Sequence, residues 1–155
     1  MNDSAVPDHP CPARRRWMAV LARAKADSIA GLLGACGPLP AHMILRGPEP
    51  GLVMVRGRTG GGGSSFNLGE MTVTRCTVRT DTGFVGHAYV AGREERRAEL
   101  AALVDALMQD DERSAAIEAH VIAPLERQQT DLKAGRAAKA AATRVQFFAM
   151  QTMRT

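Results

Sequence analysis

From Met43 to Ala91 the apolar residues of this chain fall in short alternating runs, and from Glu94 onward they recur at helical spacing. That change of period restricts the fold to a sheet followed by helices. The runs Met43 to Arg46, Leu52 to Arg58, Met71 to Arg79 and Phe84 to Ala91 predict four strands. Between them, Gly47-Pro-Glu-Pro-Gly51 and Asp81-Thr-Gly83 carry turn chemistry, since proline presets φ and glycine accepts positive φ. The connections are short enough for antiparallel hairpins, with Gly60 to Ser65 as a longer, flexible hairpin loop. Beyond them, Leu100, Leu103, Val104, Leu107 and Met108 are spaced i, i+3, i+4, i+7, i+8 and predict a helix from Glu94 to Asp110 with one apolar stripe.

The flanks complete an α+β pattern. Trp17, Val20, Leu21, Ala24, Ile29, Leu32 and Leu33 predict one broken helix, or two with a bend near Ala26-Asp27-Ser28, from Ala13 to about Cys36, stopped by Gly37-Pro38. Residues 1–12, with Pro7, Pro10 and Pro12, read as a disordered extension, leaving 13–155 as a single domain. A further helix is expected from Glu112 to Ile122, bent or ended at Pro124, then an Ala/Lys/Arg-rich stretch from Glu126 to Met150 whose apolar face is thin until Val145-Gln-Phe-Phe148. Such a helix gains little by packing on its own sheet. It either awaits a partner or is a solvated, alanine-stabilised terminus. The architecture expected is an N-terminal helix, a four-stranded antiparallel meander and C-terminal helices.

Aromatic residues make up only 4% of the chain, so the core must be built from Leu, Val, Ile, Met and Ala. Cys11, Cys36 and Cys76 form no C-x-x-C pair, and an odd count argues against a disulfide framework. No apolar run approaches membrane-spanning length and no export signal opens the chain, which points to a cytoplasmic protein without a membrane partner. The net charge of +4 is uneven. Arg46, Arg56, Arg58, Arg75, Arg79 and Arg93 face only Glu49, Glu70 and Asp81 between residues 44 and 93, whereas residues 94–112 hold seven acids against Arg96 and Arg97. A basic sheet beside an acidic helix suits a polyanionic or charge-steered partner, although solvated surface arginines give the same pattern.

The candidate chemistry is sparse. Gly60-Gly-Gly-Gly-Ser-Ser65 could cradle an anion on its backbone N–H groups, but it lacks the Lys-Ser/Thr ending of a P-loop and lies between two strands, as a hairpin tip would. Alternation places Arg56 with Arg58 and Arg75 with Arg79, so a hairpin could bring four guanidiniums to one surface. Arginine's planar fork suits phosphates and carboxylates alike, and the residues leave open a triphosphate, a phosphonate or an acidic protein patch. Histidines 9, 42, 87 and 120 have no metal-ligand spacing; His87 alone sits in the dense motif region, as a conceivable general acid/base or a structural residue on a half-buried strand. Ser64, Ser65, Thr72 and Thr74 accompany no nucleophile elbow or triad order. Arg14-Arg-Arg-Trp17 could grip nucleic acid by charge and stacking, yet one aromatic is a poor platform and a solvated helix start explains it better. No catalytic, cofactor-binding or metal residue is therefore assigned; Arg56, Arg58, Arg75, Arg79 and His87 are candidate partner or anion contacts.

Several ordered motifs resemble one family. Arg16-Trp-Met-Ala-Val-Leu-Ala22, Gly51-Leu-Val-Met-Val-Arg-Gly-Arg58, Gly69-Glu-Met-Thr-Val-Thr-Arg75, Gly86-His-Ala-Tyr-Val-Ala-Gly92, Asp105-Ala-Leu-Met-Gln109, Ile122-Ala-Pro-Leu125 and Arg144-Val-Gln-Phe-Phe-Ala-Met150 are similar to the G subunit of the bacterial carbon-phosphorus lyase core complex, or α-D-ribose 1-methylphosphonate 5-triphosphate synthase. The first eleven residues, the unbroken four-glycine run and Phe66-Asn-Leu68 depart from it. The resemblance implies an assembly of G, H, I and J subunits, two copies each, in which bacteria use alkylphosphonates as phosphorus. Methylphosphonate displaces adenine from MgATP, with nucleosidase chemistry ascribed to the I subunit, and the radical J subunit later cleaves the carbon-phosphorus bond. It implies no catalytic residues and no cofactor on the G chain. The expected role is a supporting subunit; the alternatives are direct contribution of Arg56, Arg58, Arg75 or His87 to the ATP-phosphonate site, and a small nucleic-acid-binding module.

Overall fold

The computed structural model describes residues 11–144. Two helices open the chain, α1 (Pro12–Arg23) and α2 (Ala26–Gly34). Pro12 stands in the first turn of α1, where its missing N–H costs nothing. Ala24 and Lys25 are extended and separate the helices two residues before the expected bend. Gly37, at φ +82, ends this segment in the left-handed conformation that glycine accepts. The expected extension of residues 1–12 lies mostly outside the described residues, and its last member, Pro12, is helical.

Three strands follow, β1 (His42–Arg58), β2 (Ser65–Thr80) and β3 (Val85–Ala91), in an antiparallel sheet of order β1-β2-β3. The expected count of four is corrected here. Gly47-Pro-Glu-Pro-Gly51 does not reverse the chain; it stays paired to β2, Glu49 opposite Arg75 and Pro50 opposite Thr74. Register shifts at Ile44/Arg46 and Arg46/Glu49 absorb the extra residues as bulges, joining two expected strands into one. Prolines are tolerated because β1 is an edge strand whose outward donors need no partner. Gly47 sits at φ +72, and a Cβ there would collide with the Arg75 carbonyl oxygen.

Alternation on β2 and β3 sends Thr74, Cys76, Val78 and Thr80, with Ala88 and Val90, toward the helices. On that face lies α3 (Glu95–Leu107). Its contact is close: a Cβ on Gly86 would strike the Ala102 carbonyl oxygen and lie 2.5 Å from the Ala106 amide nitrogen. Ala98, Ala101, Ala102 and Ala106 supply the matching low profile. The expectation of a single apolar stripe is too narrow, because α1 and α2 also pack against α3, so that Ala101 through Leu107 are all buried. Thr74 closes the β3 to α3 junction, its Oγ1 donating to the Gly92 carbonyl at 2.6 Å and accepting from the Glu94 amide at 3.0 Å.

Asp105 lies in this core with no solvent exposure. Its carboxylate accepts from Arg14 Nε at 3.1 Å and Nη2 at 2.7 Å, from Trp17 Nε1 at 2.8 Å and from the His87 backbone amide at 2.9 Å. One side chain thus ties α1, α3 and β3 together. Gln109 extends the tie by donating to the Val85 carbonyl at 2.8 Å, and Arg97 donates to the Ala91 carbonyl.

After α3 come α4 (Asp111–Ile117), a π turn over Glu118–Ile122 and α5 (Ala123–Ala142). Asp110 caps α4, accepting from the Glu112 amide at 3.0 Å. Pro124 falls in the first turn of α5, and the π turn before it accommodates the missing donor. Arg16 forks between Glu118 at 2.9 Å and Glu126 at 2.5 Å, while Gln129 donates to the Val20 carbonyl at 2.8 Å. Beyond that anchor every residue from Thr130 to Arg144 is exposed. The apolar cluster expected at Val145 to Phe148 lies outside the described residues.

Two predictions follow from these ties. Asp105→Asn leaves Arg14 facing a neutral amide, and breaking a buried pair costs about 3 kcal/mol when one partner keeps some solvent contact. Urea unfolding followed by far-UV circular dichroism should show a loss of that order; a loss under about 1 kcal/mol would show that the carboxylate does not organise the core. Hydrogen bonding to Arg16 holds the Glu126 carboxyl below its usual range. Its contribution is therefore complete above the ordinary glutamate value of about 4.3 and disappears as pH falls through the lowered value. Amide protection factors in the first turns of α5, corrected for intrinsic exchange, should fall on acidification below pH ~4, and Glu126→Gln should remove part of that dependence.

Candidate functional site

The face of the sheet away from the helices carries three of the sequence-predicted residues, Arg75, Arg79 and His87. Register pairs Arg75 with Tyr89, Thr77 with His87 and Arg79 with Val85 on that face. His87 Nδ1 lies 3.1 Å from Thr77 Oγ1, and its ring is on the exposed side of the half-buried strand β3; the backbone amide of His87 is the group that reaches inward, to Asp105. Tyr89, which the sequence did not single out as a site residue, stands 57% exposed beside Arg75.

The four arginines do not form one cluster. Asn67, the partner of Arg56, is eight residues from Arg75 along β2, about 26 Å at strand spacing. Arg56 reaches Ser65 Oγ at 3.0 Å near the hairpin tip, with Arg58 one pleat further along. Arg75 instead donates to Glu49 at 2.7 Å, and Arg46 donates to the same oxygen at 2.9 Å. These hydrogen bonds, Arg46's first and then Arg75's, hold the Glu49 carboxyl below its usual range. Arg79 donates to Met43 Sδ at 3.3 Å beside an open cavity of about 470 Å³ lined also by His42, Thr80, Asp81 and Gly83. The chemistry of this face is thus a partly neutralised basic surface with one imidazole and one phenol.

The glycine run forms the turn between β1 and β2. Thr59–Gly61 make a 3-10 turn, Gly60 adopts φ +57, and the Gly63 amide donates to the Thr59 carbonyl at 2.8 Å. This is a strand-to-strand tip, without the strand-to-helix junction that a phosphate loop uses. Arg14 and Trp17 hold Asp105, and Arg16 holds Glu118 and Glu126, so the segment read as a solvated helix start in preference to a nucleic-acid grip serves the fold. Among the described residues, no group of three or more His, Cys, Asp or Glu side chains is placed to hold a metal ion, and no helix is long and apolar enough to cross a membrane.

What the sequence reading missed is apolar. From Leu52 to Arg58 and from Ser65 to Met71 no residue is buried, although this ribbon carries Leu52, Met54, Val55, Phe66, Leu68 and Met71, each at least 37% exposed. A signal was available: Leu52-Val-Met-Val55 is apolar at both parities, as in strands covered on two faces.

The profile of the phosphonate metabolism protein PhnG family matches residues 12–153. A curated relative, the α-D-ribose 1-methylphosphonate 5-triphosphate synthase subunit PhnG of Rhizobium meliloti (strain 1021), is 46% identical over 140 residues, covering 88% of this chain and 87% of the relative. The motifs that suggested the carbon-phosphorus lyase G subunit thus lie within a match spanning α1 through α5, and the chain belongs to the PhnG family of phosphonate metabolism proteins.

Proposed function

We propose that this chain is a supporting subunit, without catalytic residues of its own, of the complex that transfers the ribose 5-triphosphate group of ATP to methylphosphonate with release of adenine. The observation that carries this reading is the 46% identity, over most of both chains, to a protein named as a subunit of that synthase. Its partners are the I, H and J subunits and a second copy of itself, and MgATP is a substrate of the assembly. Three cysteines without a disulfide among the described residues suit a cytoplasmic setting.

The supporting role draws on how the polar groups are arranged. Asp105, the buried carboxylate of the core, takes the backbone amide of His87 and leaves the imidazole to a threonine hydroxyl. A general acid or base oriented by a carboxylate is built the other way round. Arg75 shares Glu49 with Arg46, which lowers its capacity to meet an incoming phosphate.

The test is reconstitution. The chain copurified with the I, H and J subunits should support adenine release from ATP and methylphosphonate, and omitting it should abolish release. His87→Ala should reduce the rate by less than about tenfold, whereas loss of a general acid or base typically costs ~10² to 10⁴. A reduction of that larger size with assembly intact would move the chain into the active site. Charge reversal at Arg75 separates the same alternatives: impaired assembly with unchanged ATP dependence is expected, and intact assembly with weakened ATP dependence would contradict the supporting role.

A further inference from the structure

The outer half of the β1–β2 hairpin departs from the rest of the fold. Its paired segments, Leu52 to Arg58 and Ser65 to Met71, extend about 20 Å with no buried residue. Alternation along β1 puts Leu52 and Met54 on one face and Val53 and Val55 on the other. Phe66 and Leu68 share a face, both packing beside Gly57. The ribbon is therefore apolar on both sides, while its outer β1 edge carries unpaired backbone groups. A lone two-stranded ribbon of this kind is marginal in water. Its composition is that of a buried element.

The opposite edge of the sheet is partly covered. Asp105 takes the His87 amide, Gln109 the Val85 carbonyl and Arg97 the Ala91 carbonyl, so β3 is already served by side chains of α3. The open edge and the exposed apolar residues thus coincide on one arm.

Charge indicates what covers it. The outer part of the arm, residues 51–69, holds Arg56 and Arg58 and no acid, and Glu70, paired with Met54, is the one acid at its base. Two arms lying together would bring four guanidiniums into one small apolar contact, which like-charge repulsion opposes. Outside the sheet, the large exposed hydrophobics among the described residues are Leu39 and Leu132. The groove beside Leu132 is rimmed by Arg23, Lys133 and Arg136 against Glu126. The second copy is a poor host for a basic tip.

We propose that the arm from Gly51 to Met71 inserts into an apolar cleft of a different polypeptide, one whose rim carries carboxylates that receive Arg56 and Arg58. Burial on both faces excludes water from Leu52, Phe66 and Leu68, and the open edge of β1 is satisfied by backbone of the host. This deepens the subunit reading and rests on it, with the host among the other subunits of the assembly.

The full-length chain, tagged and coexpressed with the I, H and J subunits, provides the test. Leu52→Ser/Phe66→Ser/Leu68→Ser alters only exposed positions and should weaken capture of the host subunit by about a hundredfold or more, as loss of an interface anchor cluster does. Arg56→Glu/Arg58→Glu leaves the apolar residues in place. It should weaken capture roughly tenfold at low salt and less at high salt, since exposed charge is screened. Leu132→Ser, equally exposed on α5, should bind as wild type. Undiminished capture by both arm variants would overturn the proposal while leaving the subunit reading intact, as would equal weakening by Leu132→Ser. A wild-type chain that dimerises alone through the arm would replace the host with a second copy. Failure of the wild type to capture any of the three subunits would overturn the subunit reading and this proposal together.

Discussion

The Asp105 carboxylate is the constraint on which the rest of the arrangement depends. Removing a carboxylate from water costs several kcal/mol, and only a nearly complete set of donors offsets that cost. Arg14 supplies two, Trp17 one and the His87 backbone a third source, from two elements, α1 and β3, that lie far apart in sequence. Satisfying the charge therefore fixes α1 against α3 and α3 against the edge of β3. The close approach at Gly86, between the two strand positions that Asp105 and Gln109 reach, is the steric counterpart of the same docking. A chain with few aromatics has little shape information in its core; a buried ionic hub with directional bonds supplies what alanines and leucines do not.

The hub also divides the molecule into a partly covered side and an open side. On β3, α3 side chains occupy backbone groups that an edge would otherwise present. On β1, among the described residues, no comparable cover exists beyond the contact near His42, whose Nε2 lies 3.3 Å from Glu99. Prolines 48 and 50 remove donors from the middle of that edge, and the stretch from Gly51 to Arg58 has no such protection. The fold is thus a packed centre with two appendages, the basic apolar ribbon and the exposed part of α5. The second of these carries Gly135 mid-helix, a costly residue where packing does not compensate.

Elements were legible in the sequence where local pattern and tertiary environment agree. The helices around Trp17, Ile29 and Leu103 and the strands around Val78 and Val90 appear where periodicity places them. Gly47 to Gly51 misled because proline and glycine signal a turn and a bulge alike, and only the pairing partner distinguishes them. Asp105 was hidden for a different reason: in an acid-rich stretch a carboxylate reads as solvated, and its donors come from positions 18 and 88 to 91 residues away. Arg14-Arg-Arg-Trp17 was misread in the same way, its charges serving contacts that no local pattern reveals. The candidate arginines were correctly placed on strands, but bulges and strand length, which set their separation, are tertiary quantities.

The charge asymmetry seen in the sequence takes on a narrower meaning in three dimensions. Part of it is internal: Arg75 and Arg46 share Glu49, and Arg96 meets Asp27 at 2.8 Å across the surface. Exposed pairs of this kind contribute little stability, but they remove charge from the field an incoming partner meets. Arg56 and Arg58 differ because the outer stretch, residues 56–69, contains no acid, Glu70 lying at the base of the ribbon. They sit at the end of an element whose apolar residues need cover, which couples long-range attraction to short-range burial. Under the proposed insertion the core would present this ribbon rigidly, and specificity would lie in which cleft accepts both the charge and the apolar faces.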